Sequence, residues 1–394
     1  MLAVLALQFY ENIVAVWGYR SPTPIHLNGA VSFLPIATLG NVNSTMNAYI
    51  RKYILHIEIS SALRQKRPLQ SIAYSWLKSS EPTAGAANLS MALDSIGASV
   101  AEFQATCLRE VKHDSFLPQR SKEFERVAEA QRLDTQLLEW ARSVPSHWQP
   151  RKLISSQDID PSIPAYRSVC EVYPSCQIAS VWNLWLSQRL ILVKIALGSL
   201  NVILQGGQSE LFRNQKSAIE KDFILHQERL QGLVDSVCYS VPFYLGNRTA
   251  LSSLADFTNT SIMFPSYHLR VPWDSRCPKK EDHNAEGRRR EEYRHHMIAK
   301  GPWHAMSPLS HLLTLLLEDH GLLIASFLRT GQLEWIQSQF IRVTILLGLP
   351  LEAGVSQWKE EEHILQPSAH GSVNTKANYH AKKVRKGTIF MSGL

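Results

Sequence analysis

Cysteine is scarce in this chain. Its five residues, Cys107, Cys170, Cys176, Cys238 and Cys277, are odd in number and spread widely over 394 positions. That pattern excludes a disulfide-stapled scaffold and points to a reducing compartment. Charge is sparse as well. Asp, Glu, Lys and Arg make up 19% of residues, and 41 basic against 34 acidic side chains leave only +7. An excess that small tolerates an anionic partner without requiring one. Uninterrupted apolar runs are missing too. The strongest, residues 181–200, contains Arg189 and Lys194, and a charge near the centre of a membrane helix costs about 2.5–3.5 kcal/mol on insertion scales. The run therefore reads as a buried helix of a water-soluble fold, and no membrane partner is expected. The apolar opening, residues 1–7, has no basic residue before it and Glu11 soon after, so it reads as helix rather than as a signal sequence.

The usual enzyme signatures are also absent. There is no Gly-x-x-x-x-Gly-Lys-Ser/Thr loop, no Gly-x-Gly-x-x-Gly turn after a strand, no Gly-x-Ser-x-Gly elbow and no His-Glu-x-x-His helix. No catalytic, cofactor-binding or DNA-binding residue is assigned, and no cofactor is expected. Metal ligands are likewise assigned to none. Cys170 and Cys176 are separated by five residues and His295-His296 lie far along the chain in a charged segment, whereas structural zinc draws four ligands at tight spacing. These cysteines read as small buried residues.

What is present is helical periodicity. Hydrophobic residues reach 45% and recur three or four apart through most of the chain, while sustained alternation is hard to find. The expected fold is mainly α, an irregular multi-helix bundle with a central buried helix near residues 177–204. In that stretch Ser180, Ser187, Lys194 and Asn201 recur every seven positions and most of the rest is apolar. Other helices are expected near residues 2–20, 27–39, 45–66, 89–112, 120–143, 210–239, 302–317 and 322–347, the last interrupted at Thr330-Gly331. In 120–143 the apolar face is Phe124, Val127, Ala130, Leu133, Leu137 and Ala141. The organisation expected is one helical domain over 1–350, with a subdomain break in the 144–170 loop and a charged, solvated loop at 270–300. A flexible basic tail, 351–394, follows. No fixed-period repeat supports a solenoid.

Three features carry weight beyond the fold. Arg189, on an otherwise apolar helix, needs a carboxylate or several carbonyl oxygens, which makes it a structural tie or an effector anchor. Trp140, Trp148, Trp182, Trp185, Trp303 and Trp335 read as core packing rather than as an aromatic ligand cage. Lys382, Lys383, Arg385 and Lys386 form a candidate nuclear import signal in the tail.

The order of local motifs resembles the regulatory, middle homology region of fungal zinc-cluster transcription factors. The resemblance covers roughly residues 1–350. Early in the chain it rests on His26-Leu27-x-Gly29-Ala30, on Ser60-Ser61-Ala62-Leu63-Arg64 with Arg67-Pro68, and on Val144-Pro145 with Trp148-Gln149-Pro150. Its most telling pieces are Ile178-Ala179-Ser180-Val181-Trp182-Asn183 with Arg189-Leu190-Ile191-Leu192, and Ser240-Val241-Pro242 with Leu245-Gly246. Pro308-Leu309 and Leu333-Glu334-Trp335-Ile336 fit the closing helices. The family's Cys-x-x-Cys-x6-Cys cluster, basic linker and coiled coil are not found. The chain therefore reads as the regulatory region without its DNA reader, whether as a truncated gene model, a fragment or a paralogue. The resemblance implies a nuclear chain acting in control of transcription by RNA polymerase II. Its partners would be transcriptional regulators or a small effector, and it would read no specific DNA alone. The alternatives are an enzyme with its active site in a helical cavity, or a helical scaffold unrelated to transcription; the alternative location is the cytoplasm.

Overall fold

The computed structural model describes residues 25–32, 34–35, 45–79, 89–113, 120–154, 159–206, 210–265, 283–317 and 324–349, together with scattered positions between 4 and 14. The fold is mainly α. Among the described residues the helices are α1 (Ile25–Ser32), α2 (Thr45–Gln65), α3 (Ser71–Ser79), α4 (Leu89–His113), α5 (Arg120–Ser143), α6 (Cys176–Gln205), α7 (Glu210–Leu245), α8 (His283–Leu317) and α9 (Gln332–Leu346). A two-stranded antiparallel ribbon, β1 (Arg151–Leu153) and β2 (Cys170–Val172), pairs Lys152 with Glu171 and Leu153 with Cys170. This ribbon occupies part of the 144–170 segment expected to be loop.

The apolar circumference of α6 decides the architecture. A helix apolar on nearly every side must be covered on nearly every side, and α6 packs against α4, α5, α7 and α8. Val181, Trp182, Leu190, Ile191 and Leu192 are buried, and so are Ser180 and Ser187 of the seven-residue polar series. Lys194 turns its ammonium to the Leu315 carbonyl of α8 at 2.9 Å. By length and composition α6 could also cross a membrane, but 67% of its most apolar window is buried inside the bundle. Because Ile191 is only 3% exposed, replacing it by alanine is expected to cost about 2–5 kcal/mol through lost contacts and a residual cavity. An unchanged denaturation midpoint would contradict that burial.

The tryptophans are wall and core. The indole N–H of Trp140 donates to the Leu89 carbonyl at 2.8 Å, that of Trp182 to Trp148 at 2.8 Å and that of Trp185 to Leu137 at 2.7 Å. Trp140 and Trp185 both meet Trp182 edge to face. These rings join α4, α5 and α6, and their polar handles are used by backbone. The larger of two clusters of buried apolar side chains includes residues from Leu27 to Leu349, and a smaller one gathers Val127, Leu200, Ile203 and Ile219. In α5, Val127, Ala130, Leu133 and Leu137 face inward as expected, but Phe124 is exposed and Glu123 is buried. The cause is Arg126, which bridges Glu123 to Glu110 of α4 and draws that acid inward.

The charged segment differs from its expectation. From His283 onward it is the first half of α8 rather than a solvated loop; residues 266–282 lie outside the described set. Low apolar content concealed the few residues that anchor it. Met297 and Ile298 are buried, the Tyr293 hydroxyl donates to the Phe243 carbonyl at 3.3 Å, and Arg294 donates to the carbonyls of Asp256, Phe257 and Asn259. Helix α7 likewise runs past Tyr239, through Pro242, to Leu245. The turn that follows depends on Gly246, which has φ +56° and whose added Cβ would overlap the Met263 carbonyl oxygen.

Candidate metal centre

The first turn of α6 and the middle of α8 meet at a sulfur- and nitrogen-rich point. Ser175 caps α6, its hydroxyl accepting from the Ile178 amide at 3.3 Å, which fixes Cys176 at the buried helix start. Across from it, α8 carries His296, Met297 and His304. The two histidines are eight residues apart on one helix, about 12 Å in an unbroken α-helix. Gly301 and Pro302 stand between them. Pro302 has no amide hydrogen to give the Ile298 carbonyl, and an interior proline kinks or opens a helix. The freed carbonyl is instead served by the Arg248 guanidinium, 3.2 Å away. One ligand atom from each of Cys176, His296 and His304 then lies within 4.8 Å of the other two. No other group of Cys, His or acidic side chains was found to converge this way among the described residues.

The surroundings are ordered. The Ser180 hydroxyl holds Nδ1 of His304 at 2.7 Å, which leaves Nε2 for a ligand. The Tyr244 ring stacks on the His304 imidazole, 6.0 Å between centroids, and the Tyr244 hydroxyl accepts from Asn183 at 2.8 Å. Nε2 of His296 is buried and has no hydrogen-bond partner. The thiol of Cys176 donates to the sulfur of Met297, 3.4 Å away, and Met297 is fully buried.

Burial sets the protonation states. It pushes His304 down to about 4, helped by His296 and Lys300, and lowers His296, again with Lys300 adding. It raises Cys176 to about 12, against the pull of Lys300. At neutral pH the group is a thiol and two neutral imidazoles. Neutral imidazole is the form that binds metal, and the Cys176 thiol would give up its proton on coordination.

The sequence pointed elsewhere. Arg189 places Nε 2.6 Å and Nη2 3.1 Å from the two carboxylate oxygens of Asp134, and its guanidinium lies over Trp185, 4.7 Å from the ring centroid. It ties α6 to α5, with both carboxylate oxygens engaged. Lys382, Lys383, Arg385 and Lys386 lie outside the described residues. The separation assumed between the cysteines and His296 is corrected by the fold: the segment is helix, and it lays His296 against Cys176. His295 turns away, toward Glu291 and the Phe257 ring. His304 and Met297 carried no signal, because a His-x7-His spacing belongs to no standard ligand pattern on an unbroken helix. Cys170 and Cys176 are buried thiols, as expected, and so are Cys107 and Cys238. No family model matches this chain, and no curated protein or solved structure matches it.

Proposed function

We propose that this chain is the regulatory and interaction region of a fungal zinc-cluster type transcription factor. It acts in the nucleus on transcription by RNA polymerase II, through protein partners or a small effector, and does not itself read DNA or engage a membrane. The observation that supports this reading best is where the resembling motifs fall. The motif spanning 178–192 makes up the buried helix around which the bundle packs. The motif at 240–246 forms the end of α7 and its tight turn. Ser60, Ser61 and Ala62 are buried in α2, and Arg67 closes a two-pronged ion pair with buried Glu58. Motifs so placed keep a helical scaffold in register.

Two measurements test it. Tethered to a promoter through a foreign DNA-binding module in a fungal host, the chain should raise or lower reporter output. An inert fusion that is well expressed and nuclear would count against the reading. In titrations against promoter and scrambled duplexes at near-physiological salt, the free chain should show no sequence preference. Specific readout needs a docked element presenting side chains to base edges. A preference above about 1,000-fold, the low end for specific binders, would reveal a reader.

A further inference from the structure

We propose that Cys176, His296 and His304, with Met297 as a fourth, weaker donor, form a binding site for a thiophilic d10 cation, and that copper(I) is its occupant. The site's existence is independent of any role in transcription.

The geometry comes first. Two ligands each ~2.0–2.3 Å from a shared ion stand roughly 3.3–4.5 Å apart. One donor atom from each of Cys176, His296 and His304 is already within 4.8 Å of the other two, and the Cys176 and Met297 sulfurs are 3.4 Å apart. Ser175 fixes the start of α6, and the Ile298 carbonyl that Pro302 leaves without an amide partner is already held by Arg248.

The support around the ligands comes second. Metal-bound histidines ordinarily engage their other ring nitrogen with a hydrogen-bond partner, which sets tautomer and ring angle. The Ser180 hydroxyl provides this for His304. The orphaned Nε2 of His296 is the third element. A buried nitrogen without a partner is costly, and a metal ion satisfies it. His296 is itself only half-buried while Cys176 and His304 are buried, so an ion would enter past His296.

The choice of ion follows from the donors. Thiolate and thioether are soft ligands that select copper(I), imidazole accepts copper or zinc, and no carboxylate or carbonyl oxygen is among the donors to favour a hard cation. Zinc sites use cysteine, histidine and carboxylate but seldom thioether; buried Met297 tips the set toward copper(I). On binding, the Cys176 S–H bond breaks, the proton leaves to solvent and the thiolate electron pair forms the Cu–S bond. The oxidation state of copper does not change.

The full chain, purified without metal, should be titrated anaerobically with copper(I) against a chromophoric copper(I) chelator, and separately with zinc(II) against a zinc indicator. One equivalent of copper(I) should bind, with sulfur and nitrogen neighbours in its X-ray absorption spectrum. Cys176→Ser and His296→Gln should each weaken it by more than about 100-fold, since even outer-shell partners are worth 10–100-fold. Ser180→Ala should fall in that lower range. Met297→Leu, close in volume, should weaken copper(I) and leave zinc(II) affinity unchanged. His296→Gln decides the matter if Cys176→Ser fails to fold, because the half-buried position spares the core. No stoichiometric copper(I) on folded wild-type chain, or binding unaltered by His296→Gln, would overturn the site. Zinc(II) held one-to-one by the same three residues in preference to copper(I), indifferent to Met297→Leu, would overturn the occupant.

Discussion

Replacing Asp134 by alanine should destabilise the protein by about 3–5 kcal/mol, the cost of stranding one member of a buried ion pair. Both side chains are enclosed, Arg189 at 11% exposure and Asp134 at 8%, and the guanidinium has the Trp185 face on one side. Removing the carboxylate leaves a cation against an indole and apolar walls. The informative comparison is the double variant Asp134→Leu with Arg189→Met. Matched apolar residues can replace a buried pair at little cost or with a gain, so the double variant should recover most of the stability lost by the single one. Urea denaturation of wild type, both single variants and the double variant completes the cycle. If Asp134→Ala loses less than about 1 kcal/mol, as an exposed pair would, the tie between α5 and α6 is not structural.

The second large effect is expected at Gly301. Helix propensity alone says that alanine in place of a helical glycine gains about 1 kcal/mol. The structure says the opposite. A Cβ at Gly301 would overlap the carbonyl oxygen of Tyr244, and its nearest neighbours are all backbone atoms of that residue, so no side-chain rotation relieves the contact. The backbones of α7 and α8 touch there and would have to separate. We expect Gly301→Ala to cost about 3 kcal/mol or more, the upper part of the overpacking range. Gly232, on α7, has nothing near its added Cβ, and Gly232→Ala should be neutral or stabilising under the same assay. Equal melting behaviour of the two variants would remove the close crossing from the account.

How much of this was legible in the sequence depends on where each element finds its partners. Helix α6 was legible to within a residue at each end because its own composition demands burial, a property that needs no knowledge of neighbours. The tie at Arg189 was legible for the same reason, since a guanidinium on such a helix must be answered. The first half of α8 was not. Its sequence from His283 to Ile298 looks solvated, and what holds it is scattered: the Tyr293 hydroxyl on Phe243, and the Arg294 guanidinium on the turn at residues 254–257. Prolines misled in the same way. Local rules end a helix before Pro242 and start a new one at Pro302, but at Pro302 the abandoned carbonyl of Ile298 is met by a donor from elsewhere in the chain.

Arg342 shows why such donors escape notice. It is buried and gives its N–H groups to the carbonyls of Gly246 and Arg248, each at 2.6 Å, and to Gln339. Burial, with Arg248 nearby, lowers it to about 10, so it keeps its charge at neutral pH. Nothing in the α9 sequence announces that this arginine seals the end of α7. The candidate metal centre was hidden for a related reason. Its ligands come from two helices that are far apart in the chain, and spacing rules count only along it.

The placement of α6 also shapes how the chain is made. Helices α1 to α5 precede α6, and although α4 also packs against α2 and α5, the faces that α4 and α5 turn to α6 have no cover until that helix has been synthesised. At about 5–20 residues per second, the faces of α4 and α5 wait several seconds or more on the ribosome with apolar surface exposed. A pause in translation just before Cys176 would lengthen that exposure.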